Sequence, residues 1–305
     1  MMRPYHIPVL AEACLDGLAI RQNGIYVDAT FGGGGHSALM LDALGPQGKL
    51  IGFDQDEDAK RNLPQDERFL FVPNNFRYLK RFLKLHGIQQ VDGILADLGV
   101  SSHQLDEAER GFSFRYDAEL DMRMNQQGAL TAAQILNTYN ADALQELFSR
   151  YGEVRNSKTL AQSIVDQRAF GAIRTIGEFL TILDPLIRGQ KQRYLAQVFQ
   201  ALRIEANDEM GALQEFLVQS QEVLKPGGRL VVIAYHSLED RAIKYFLKTG
   251  NTEGKVEKDF YGNIYRPFKL VNKKAILPDP KELRENSRSR SAKLRIGEKL
   301  ADKAT

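Results

Sequence analysis

The chain has a single cysteine, Cys14, and no hydrophobic run that approaches the length of a membrane span. A lone cysteine excludes an intramolecular disulfide and any zinc site built from cysteines, and we expect no metal. A bilayer span needs about 20 apolar residues, so we expect no membrane association. The opening stretch MMRPYHIPVLAEACLDGL also lacks the apolar core and cleavage site of a secretory signal. These absences predict a cytoplasmic protein.

The composition is that of a globular chain, with 305 residues, 43% hydrophobic and 26% charged. Such a length is enough for one core and a second folded unit. The net charge of +2 hides an uneven distribution, because residues 241–305 carry 17 Lys and Arg against 8 Asp and Glu. The first 240 residues carry 24 against 31. A basic end on an acidic body indicates either a polyanionic partner such as nucleic acid or a solvated charged tail.

Short apolar runs alternate with helical patterns at the start of the chain. The runs are GIYVDAT at 24–30, KLIGFDQ at 49–55, FLFVPNN at 69–75 and DGILADLG at 92–99. Alternation of strands and helices at this spacing predicts right-handed βαβ units and a mostly parallel sheet, which is an α/β fold. The strand pattern resumes with LKPGGRLVVIAYHS at 224–237, and weaker candidates follow at 268–277 and 291–300.

The region between these strand patterns is helical. Leu144, Leu147, Phe148 and Tyr151 share one helical face, and Asn140 is placed to cap that helix. We therefore predict an inserted all-helical domain at 106–221 within a main domain formed by 1–105 and 222–305. The alternative is a set of extra helices packed on the main sheet.

A run of four glycines in DATFGGGGHS, at 28–37, lies between the first strand and a helix. Glycines there let a ligand approach the backbone and the positive end of the helix. Asp54 ends the second strand, where an acid typically accepts bonds from ribose hydroxyls. The spacing fits neither G-x-G-x-x-G nor a P-loop. The pairing of loop and acid suits a dinucleotide or S-adenosylmethionine, unless the glycines form a simple turn and Asp54 is a solvated strand end.

The ends of the later strands favour S-adenosylmethionine. LKPGGRLVV before a central strand, with Asp97 at the end of the fourth strand, looks like the layout of class I methyltransferases, a Rossmann-like sheet with a crevice at its switch point. Hydride chemistry would require a catalytic His or Lys supported by an acid, and no motif supplies one.

Several longer motifs carry a closer resemblance. TFGGGGHS, DLGVSSHQLDEAERGFSF followed by LDMRM, FQALRI, LKPGGRL, HSLEDR and RSAKLR occur in this order. Together they resemble the bacterial 16S ribosomal RNA cytosine-N4-methyltransferase family, from His6 to about Glu298. The eighteen-residue block 97–114 is the most specific of them.

This resemblance implies a function and a set of residues. The expected enzyme transfers a methyl group from S-adenosylmethionine to the N4 amino group of a cytidine in 16S ribosomal RNA of the small ribosomal subunit. Carried over position by position, the cofactor-binding residues are Gly34, Gly35, His36, Asp54, Phe76, Asp97 and Gln104. Structural alternatives are a helix start for His36, a core position for Phe76 and a surface amide for Gln104.

Cytosine's exocyclic amine is a poor nucleophile, so the site must position it and accept a proton from it. Asp97 is the candidate catalytic acceptor, and a backbone carbonyl of 98–100 is placed to share the role; no metal or covalent nucleophile is required. A small-molecule methyltransferase and a non-catalytic nucleotide-binding module are the competing functions, because the fold serves all three. Arg288, Arg290 and Arg295 either contact RNA phosphates or form a solvated edge, and the structural alternative for Asp240 and Arg241 is that they pair within one helical turn. The sequence leaves the modified nucleotide and the oligomeric state open, a homodimer included.

Overall fold

The computed structural model describes residues 8–258, 262 and 264–301. His6, where the sequence resemblance begins, lies outside the described residues. The chain divides into two compact units, Met1–Gly99 with Gly211–Thr305 and Val100–Met210. We call them the sheet unit and the helical unit. The predicted boundaries lie after residues 105 and 221, whereas the structural division falls at Gly99 and Met210.

Within the described residues, the sheet unit contains one seven-stranded sheet. Its strands are β1 Ile25–Asp28, β2 Lys49–Phe53, β3 Phe69–Val72, β4 Val91–Asp97, β5 Leu224–Ala234, β6 Phe268–Leu270 and β7 Lys293–Lys299. The order across the sheet is β3-β2-β1-β4-β5-β7-β6. The first five strands pair in parallel, for example Val27 with Ile51 and Ile94, and β7 runs antiparallel to both β5 and β6. The predicted mostly parallel α/β fold is confirmed.

Helices occur in both units. In chain order, the described α-helices are α1 Ala11–Leu18, α2 Gly35–Ala43, α3 Leu79–Leu85, α4 Ser102–Asp106, α5 Ala132–Thr138, α6 Ala141–Gly152, α7 Ser157–Arg168, α8 Ile176–Leu183, α9 Lys191–Ala206, α10 Glu209–Val223, α11 Ser237–Thr249 and α12 Pro280–Glu285. Short 3-10 helices lie at Glu57–Asn62, Phe76–Tyr78, Ala108–Arg110, Asp184–Leu186 and Ser287–Ser291. In the described ranges, none of the helices combines the length and the apolarity that a bilayer span requires.

The start of β5 explains the motif LKPGGRL. α10 ends at Val223, and Leu224 pairs with Val91, but the next pair is Arg229 with Gly93. Residues 225–228 therefore bulge out of the ladder. Gly228 is required there, because a Cβ would lie 2.8 Å from the carbonyl oxygen of Lys225. The bulge shifts the register of β5. Beyond it, β5 pairs with β4 without interruption from Gly93–Arg229 to Asp97–Ile233.

The helical unit is built as its periodicity predicts. All residues from 100 to 210 are described, and they form helices and loops with one isolated bridge between Glu119 and Thr175. Leu144, Leu147 and Phe148 of α6 are buried in its core. The Asn140 side chain accepts a hydrogen bond from Ala143 N–H and caps α6, as the sequence predicts.

α10 starts at the unit boundary, but most of it belongs to the sheet unit. Phe216 packs edge to face on Phe76 with ring centroids 5.1 Å apart, and Glu215 pairs with Arg77 at 2.6 Å. These contacts anchor α10 beside the segment that follows β3. They explain why the structural division falls before Gly211 rather than after Gln221.

Candidate functional site

Three acids lie where β1, β2 and β4 end. Asp28 ends β1, Asp54 directly follows β2, and Asp97 ends β4. β1 lies between β2 and β4, and the three strands are parallel. Their carboxyl ends therefore meet at one edge of the sheet, at the point where the strand order reverses. This is the position where open α/β sheets bind ligands.

The glycine loop begins just beyond β1. Gly32 and Gly34 have φ values of +49° and +77°, which side chains disfavour, and α2 begins at Gly35. A Cβ on Gly34 would lie 3.1 Å from the Phe31 ring, whereas Gly33 is exposed, with no neighbouring atom within 4 Å of its own Cβ position. The loop thus presents open backbone at the start of a helix, as a ligand cradle requires.

Asp54 is bound to this loop. Its Oδ2 accepts a hydrogen bond from Gly32 N–H at 2.7 Å, and its Oδ1 accepts one from Asp56 N–H at 2.8 Å. Burial raises the pKa of Asp54 to about 6, although both backbone hydrogen bonds oppose the shift. Each carboxylate oxygen has further acceptor capacity. A half-buried, preoriented carboxylate of this kind can accept bonds from two vicinal ribose hydroxyls.

His36 lies in the first turn of α2 and is buried, with 8% of the residue exposed. Its Nε2 lies 3.0 Å from the carbonyl oxygen of Val9, and its Nδ1 lies 3.9 Å from Asp97 Oδ2. The ring therefore connects the glycine loop to the acid that ends β4. The sequence places His36 at the end of the cofactor motif, and the structure places it beside Asp97.

Asp97 is held from three sides. Its backbone N–H donates to Thr30 Oγ1 at 2.7 Å, and its Oδ1 accepts a hydrogen bond from the Tyr235 hydroxyl at 2.7 Å. Its Oδ2 faces His36. Burial raises the pKa of Asp97 although the charge of His36 and the hydrogen bond from Tyr235 oppose the shift. A carboxylate with a raised pKa is a stronger base than an ordinary aspartate.

Asp28 and Ser37 form a buried pair that the sequence reasoning missed. Asp28 is 1% exposed and accepts a 2.7 Å hydrogen bond from Ser37 Oγ and a 3.2 Å bond from Thr30 N–H. Burial raises the pKa of Asp28. The pair ties the end of β1 to the first turn of α2 and so shapes the loop between them. Its sequence signal was available, because Asp28 is the first residue of DATFGGGGHS.

Phe76 and Gln104 have structural contacts of their own. Phe76 is half-buried in the sheet unit and packs on Phe216. Gln104 lies in the helical unit, where its Oε1 accepts from Ser101 N–H at 3.0 Å and its N–H donates to Ser101 Oγ at 3.2 Å. This capping box begins α4, and Gln104 is 4% exposed rather than a surface amide. Cofactor binding by both residues stays a prediction.

Arg295, in the basic C-terminal region, forms an ion pair instead of a solvated edge. Arg295 lies on β7, which is an inner strand between β5 and β6. Its Nε donates to Asp240 Oδ1 at 2.6 Å. Their side chains are 12% and 16% exposed. Lys293 Nζ lies 3.6 Å from the other Asp240 oxygen. The alternative in which Asp240 pairs with Arg241 is therefore wrong, because the antiparallel pairing of β7 with β5 brings Lys293 and Arg295 to α11.

His236 acts as a helix cap. Its Nδ1 accepts from Glu239 N–H at 3.4 Å, and Glu239 Oε2 accepts from His236 N–H at 3.4 Å and from Tyr235 N–H at 2.8 Å. This capping box begins α11 and fixes the backbone at Tyr235.

The edge of the sheet fits S-adenosylmethionine. Asp54 has the acceptor capacity for two ribose hydroxyls, the backbone at Gly33 and the start of α2 is open to a ligand, and the Asp97 carboxylate can complement the positive charge of a sulfonium. The strand order, the glycine loop after β1 and the acids after β2 and β4 define a class I S-adenosylmethionine-dependent methyltransferase.

Comparison with known proteins gives the family. The family model of the MraW methylase family matches residues 3–300, and the chain belongs to this family. It is 60% identical over 296 residues to a Bacteroides thetaiotaomicron protein named ribosomal RNA small subunit methyltransferase H, covering 97% of each chain. It is 55% identical to the protein of the same name from Flavobacterium johnsoniae, covering 97% of this chain and 98% of that one. A solved rRNA methylase from Streptococcus thermophilus is similar with 14% identity and a TM-score of 0.40, covering 99% of each chain.

Proposed function

We propose that the protein transfers a methyl group from S-adenosylmethionine to the N4 amino group of a cytidine in 16S ribosomal RNA of the small ribosomal subunit. The observation that carries the proposal is the 60% identity, over 97% of this chain, to a relative named as a small subunit ribosomal RNA methyltransferase. The cytosine amine as acceptor is supported by the resemblance of the block 97–114 to the cytosine-N4-methyltransferase family. The acids at the edge of the sheet supply the chemistry that this reaction needs.

The cofactor supplies an electrophilic methyl group on a sulfonium. Asp54 accepts the ribose hydroxyls, and its bonds to Gly32 and Asp56 hold its carboxylate in place before binding. Because the carboxylate is already oriented, less conformational entropy is lost when it binds. The methionine portion of the cofactor would lie against Gly34, Gly35 and His36. Phe76 would offer an aromatic face to the adenine.

Asp97 accepts the proton that the substrate amine loses. The amine lone pair is delocalised into the cytosine ring, so the nitrogen becomes acidic as it is methylated and must lose a proton. The Tyr235 hydroxyl donates to Asp97 Oδ1, and we assign the proton transfer to Oδ2, which accepts no hydrogen bond from the described residues. The raised pKa of Asp97 favours the transfer. No metal or covalent intermediate enters the scheme.

The helical unit serves substrate recognition in this proposal. Exposed cations surround the starts of two of its helices: Arg155 and Lys158 at α7, and Arg188, Lys191 and Arg193 at α9. We call these five residues the basic cluster. The Asn156 amide donates to the Leu186 carbonyl at 3.0 Å and joins the two segments. Among the residues that the structure describes, only Lys191 of the five has an ion-pair partner, Asp184 at 2.8 Å.

Unpaired cations of this kind suit a phosphate backbone, because neutralising phosphates releases counterions. The target base must leave its stack to reach any methyltransferase pocket, and contacts to the flanking backbone offset part of that cost.

We place the reaction in the cytoplasm, where small subunits are assembled. A homodimer is the alternative to a monomer, and sedimentation of the purified protein distinguishes the two.

The proposal is tested by incubating the purified protein and methyl-labelled cofactor with small ribosomal subunits from a strain that lacks the gene. Nucleoside analysis should locate the label on the N4 position of one cytidine. Label on a base carbon, on a ribose or only on protein would refute N4 transfer. Turnover of small molecules without any salt-dependent RNA affinity would instead support a small-molecule methyltransferase.

A further inference from the structure

Among the described residues, Tyr235 alone donates a hydrogen bond to the Asp97 carboxylate, and no motif assigned it to the site. It directly follows β5, and its hydroxyl donates to Asp97 Oδ1 at 2.7 Å. The two residues are 138 positions apart in the chain. Tyr235 N–H donates at 2.8 Å to Glu239 Oε2, the oxygen that also accepts from His236 N–H in the capping box of α11. Strand and helix cap together fix the direction of the phenol.

We propose that Tyr235 is a positioning residue for methyl transfer, which holds the Asp97 carboxylate through Oδ1 so that Oδ2 accepts the proton of the substrate amine. This inference rests on the proposed function, in which Asp97 is the proton acceptor. A hydroxyl donating to a carboxylate forms a charge-assisted bond, roughly twice as strong as a neutral one. The bond restrains rotation of the Asp97 carboxylate about its Cβ–Cγ bond.

The phenol remains a donor throughout the working pH range. Burial and the negative charge of Asp97 raise the pKa of Tyr235 far above its ordinary range. The other groups facing Asp97 are His36 on α2, Asp28 at the end of β1 and Glu239 on α11. Cys14 on α1 also lies close enough for the charge of Asp97 to raise its pKa.

These neighbours set the direction of the expected pH effect. The hydrogen bond from Tyr235 lowers the pKa of Asp97, whereas Asp28 and Glu239 raise it and burial raises it most. Removing the phenol hydroxyl takes away a bond that favours the charged carboxylate. The pKa of Asp97 then rises further, and the acid limb of the kcat profile moves to higher pH.

The test compares Tyr235→Phe with a matched control. Tyr26→Phe removes another tyrosine hydroxyl of the sheet unit, one that accepts from Arg21 N–H at 2.8 Å and does not contact Asp97. Under the proposal, Tyr235→Phe lowers kcat about tenfold, leaves the cofactor Kd within about twofold, and shifts the acid limb upward by about half to one pH unit. Tyr26→Phe keeps the kcat and pH profile of the unchanged protein.

A double variant separates positioning from a general structural role. If Tyr235 acts through Asp97, Tyr235→Phe causes no further loss of kcat in an Asp97→Asn background. Wild-type kcat and pH profile in Tyr235→Phe, or an equal loss in both backgrounds, overturns the inference. Wild-type kcat in Asp97→Asn alone contradicts the role of Asp97 in the proposed function. The two failures are therefore distinguishable.

Discussion

The Asp54 carboxylate accepts a hydrogen bond from Gly32 N–H at 2.7 Å, so the acid after β2 and the glycine loop after β1 are bound to each other. The loop conformation and the direction of the carboxylate are set together, before any ligand arrives. We therefore expect cofactor affinity to depend strongly on Asp54.

Replacing Asp54 should abolish cofactor binding while the protein stays folded. Asp54→Ala loses two charge-assisted hydrogen bonds to the ribose, each contributing about 1.5–3 kcal/mol. Isothermal calorimetry measures the affinity, and the melting temperature reports the fold. Asp42→Ala, on the exposed side of α2, is the control and should bind normally. Near wild-type affinity in Asp54→Ala would show that the ribose is held elsewhere.

Cofactor affinity should depend on pH through Asp54. The ionised carboxylate accepts the ribose hydroxyls, and its pKa is about 6 in the folded protein. Affinity is therefore constant at pH 7 and above, and it decreases as the carboxylate is protonated. Between pH 7.5 and pH 5.0 we expect Kd to rise about tenfold. Asp54→Asn should bind weakly with no such pH dependence. A flat profile in the unchanged protein would contradict this role.

Arg295 should matter for stability rather than for RNA. Burial alone raises the pKa of Asp240, but the bond and charge of Arg295, with Lys293, outweigh it and hold that pKa below its ordinary value. Arg295→Gln leaves Asp240 with only Lys293 and should lower the free energy of unfolding by about 2–3 kcal/mol at pH 7. The difference should shrink as pH falls and Asp240 is protonated.

Urea unfolding at pH 7 and at acid pH measures this effect of Arg295→Gln. Arg290→Gln, at an exposed position, is the control and should leave the unfolding free energy unchanged. A stable Arg295→Gln variant whose RNA affinity depends less steeply on salt would restore Arg295 as a phosphate contact.

The basic cluster should contribute to RNA affinity. The test variant combines Arg155→Gln, Arg188→Gln and Arg193→Gln. Its slope of log Kd against log salt concentration should become shallower by about two to three, because each phosphate contact contributes about 0.7–0.9 to the slope. The control combines Lys49→Gln, Lys84→Gln and Lys248→Gln, which removes the same charge from exposed positions of the sheet unit. Equal slopes in the two variants would exclude the cluster as an RNA contact.

Local signals predicted much of the fold and part of the site. The ends of β1, β2 and β4 follow from short apolar runs that stop at Asp28, Asp54 and Asp97, and parallel strands bring such ends together. The weak candidate at 291–300 forms β7, where Leu294 and Ile296 alternate into the core. The candidate at 268–277 forms a strand only at Phe268–Leu270.

Contacts between distant segments could not be predicted. Tyr235 reaches Asp97 across 138 residues, and Arg295 reaches Asp240 across 55. Both depend on which strands flank β5, which no local pattern encodes. Gln104 illustrates a different limit, because the family resemblance assigns it to the cofactor, whereas the structure shows the capping box that it forms with Ser101.

The central claim is that one cytidine of 16S ribosomal RNA receives its N4 methyl group from this protein. Mass spectrometry of nucleosides from purified 16S ribosomal RNA, with and without the gene, tests it most directly. We expect a methylated cytidine with the methyl group on N4 in the parent, its loss in the deletion strain, and its return when the unchanged gene is restored. Asp97→Asn should restore little of it, because turnover falls by roughly 10²–10⁴. An unaltered N4-methylcytidine content in the deletion strain would contradict the account.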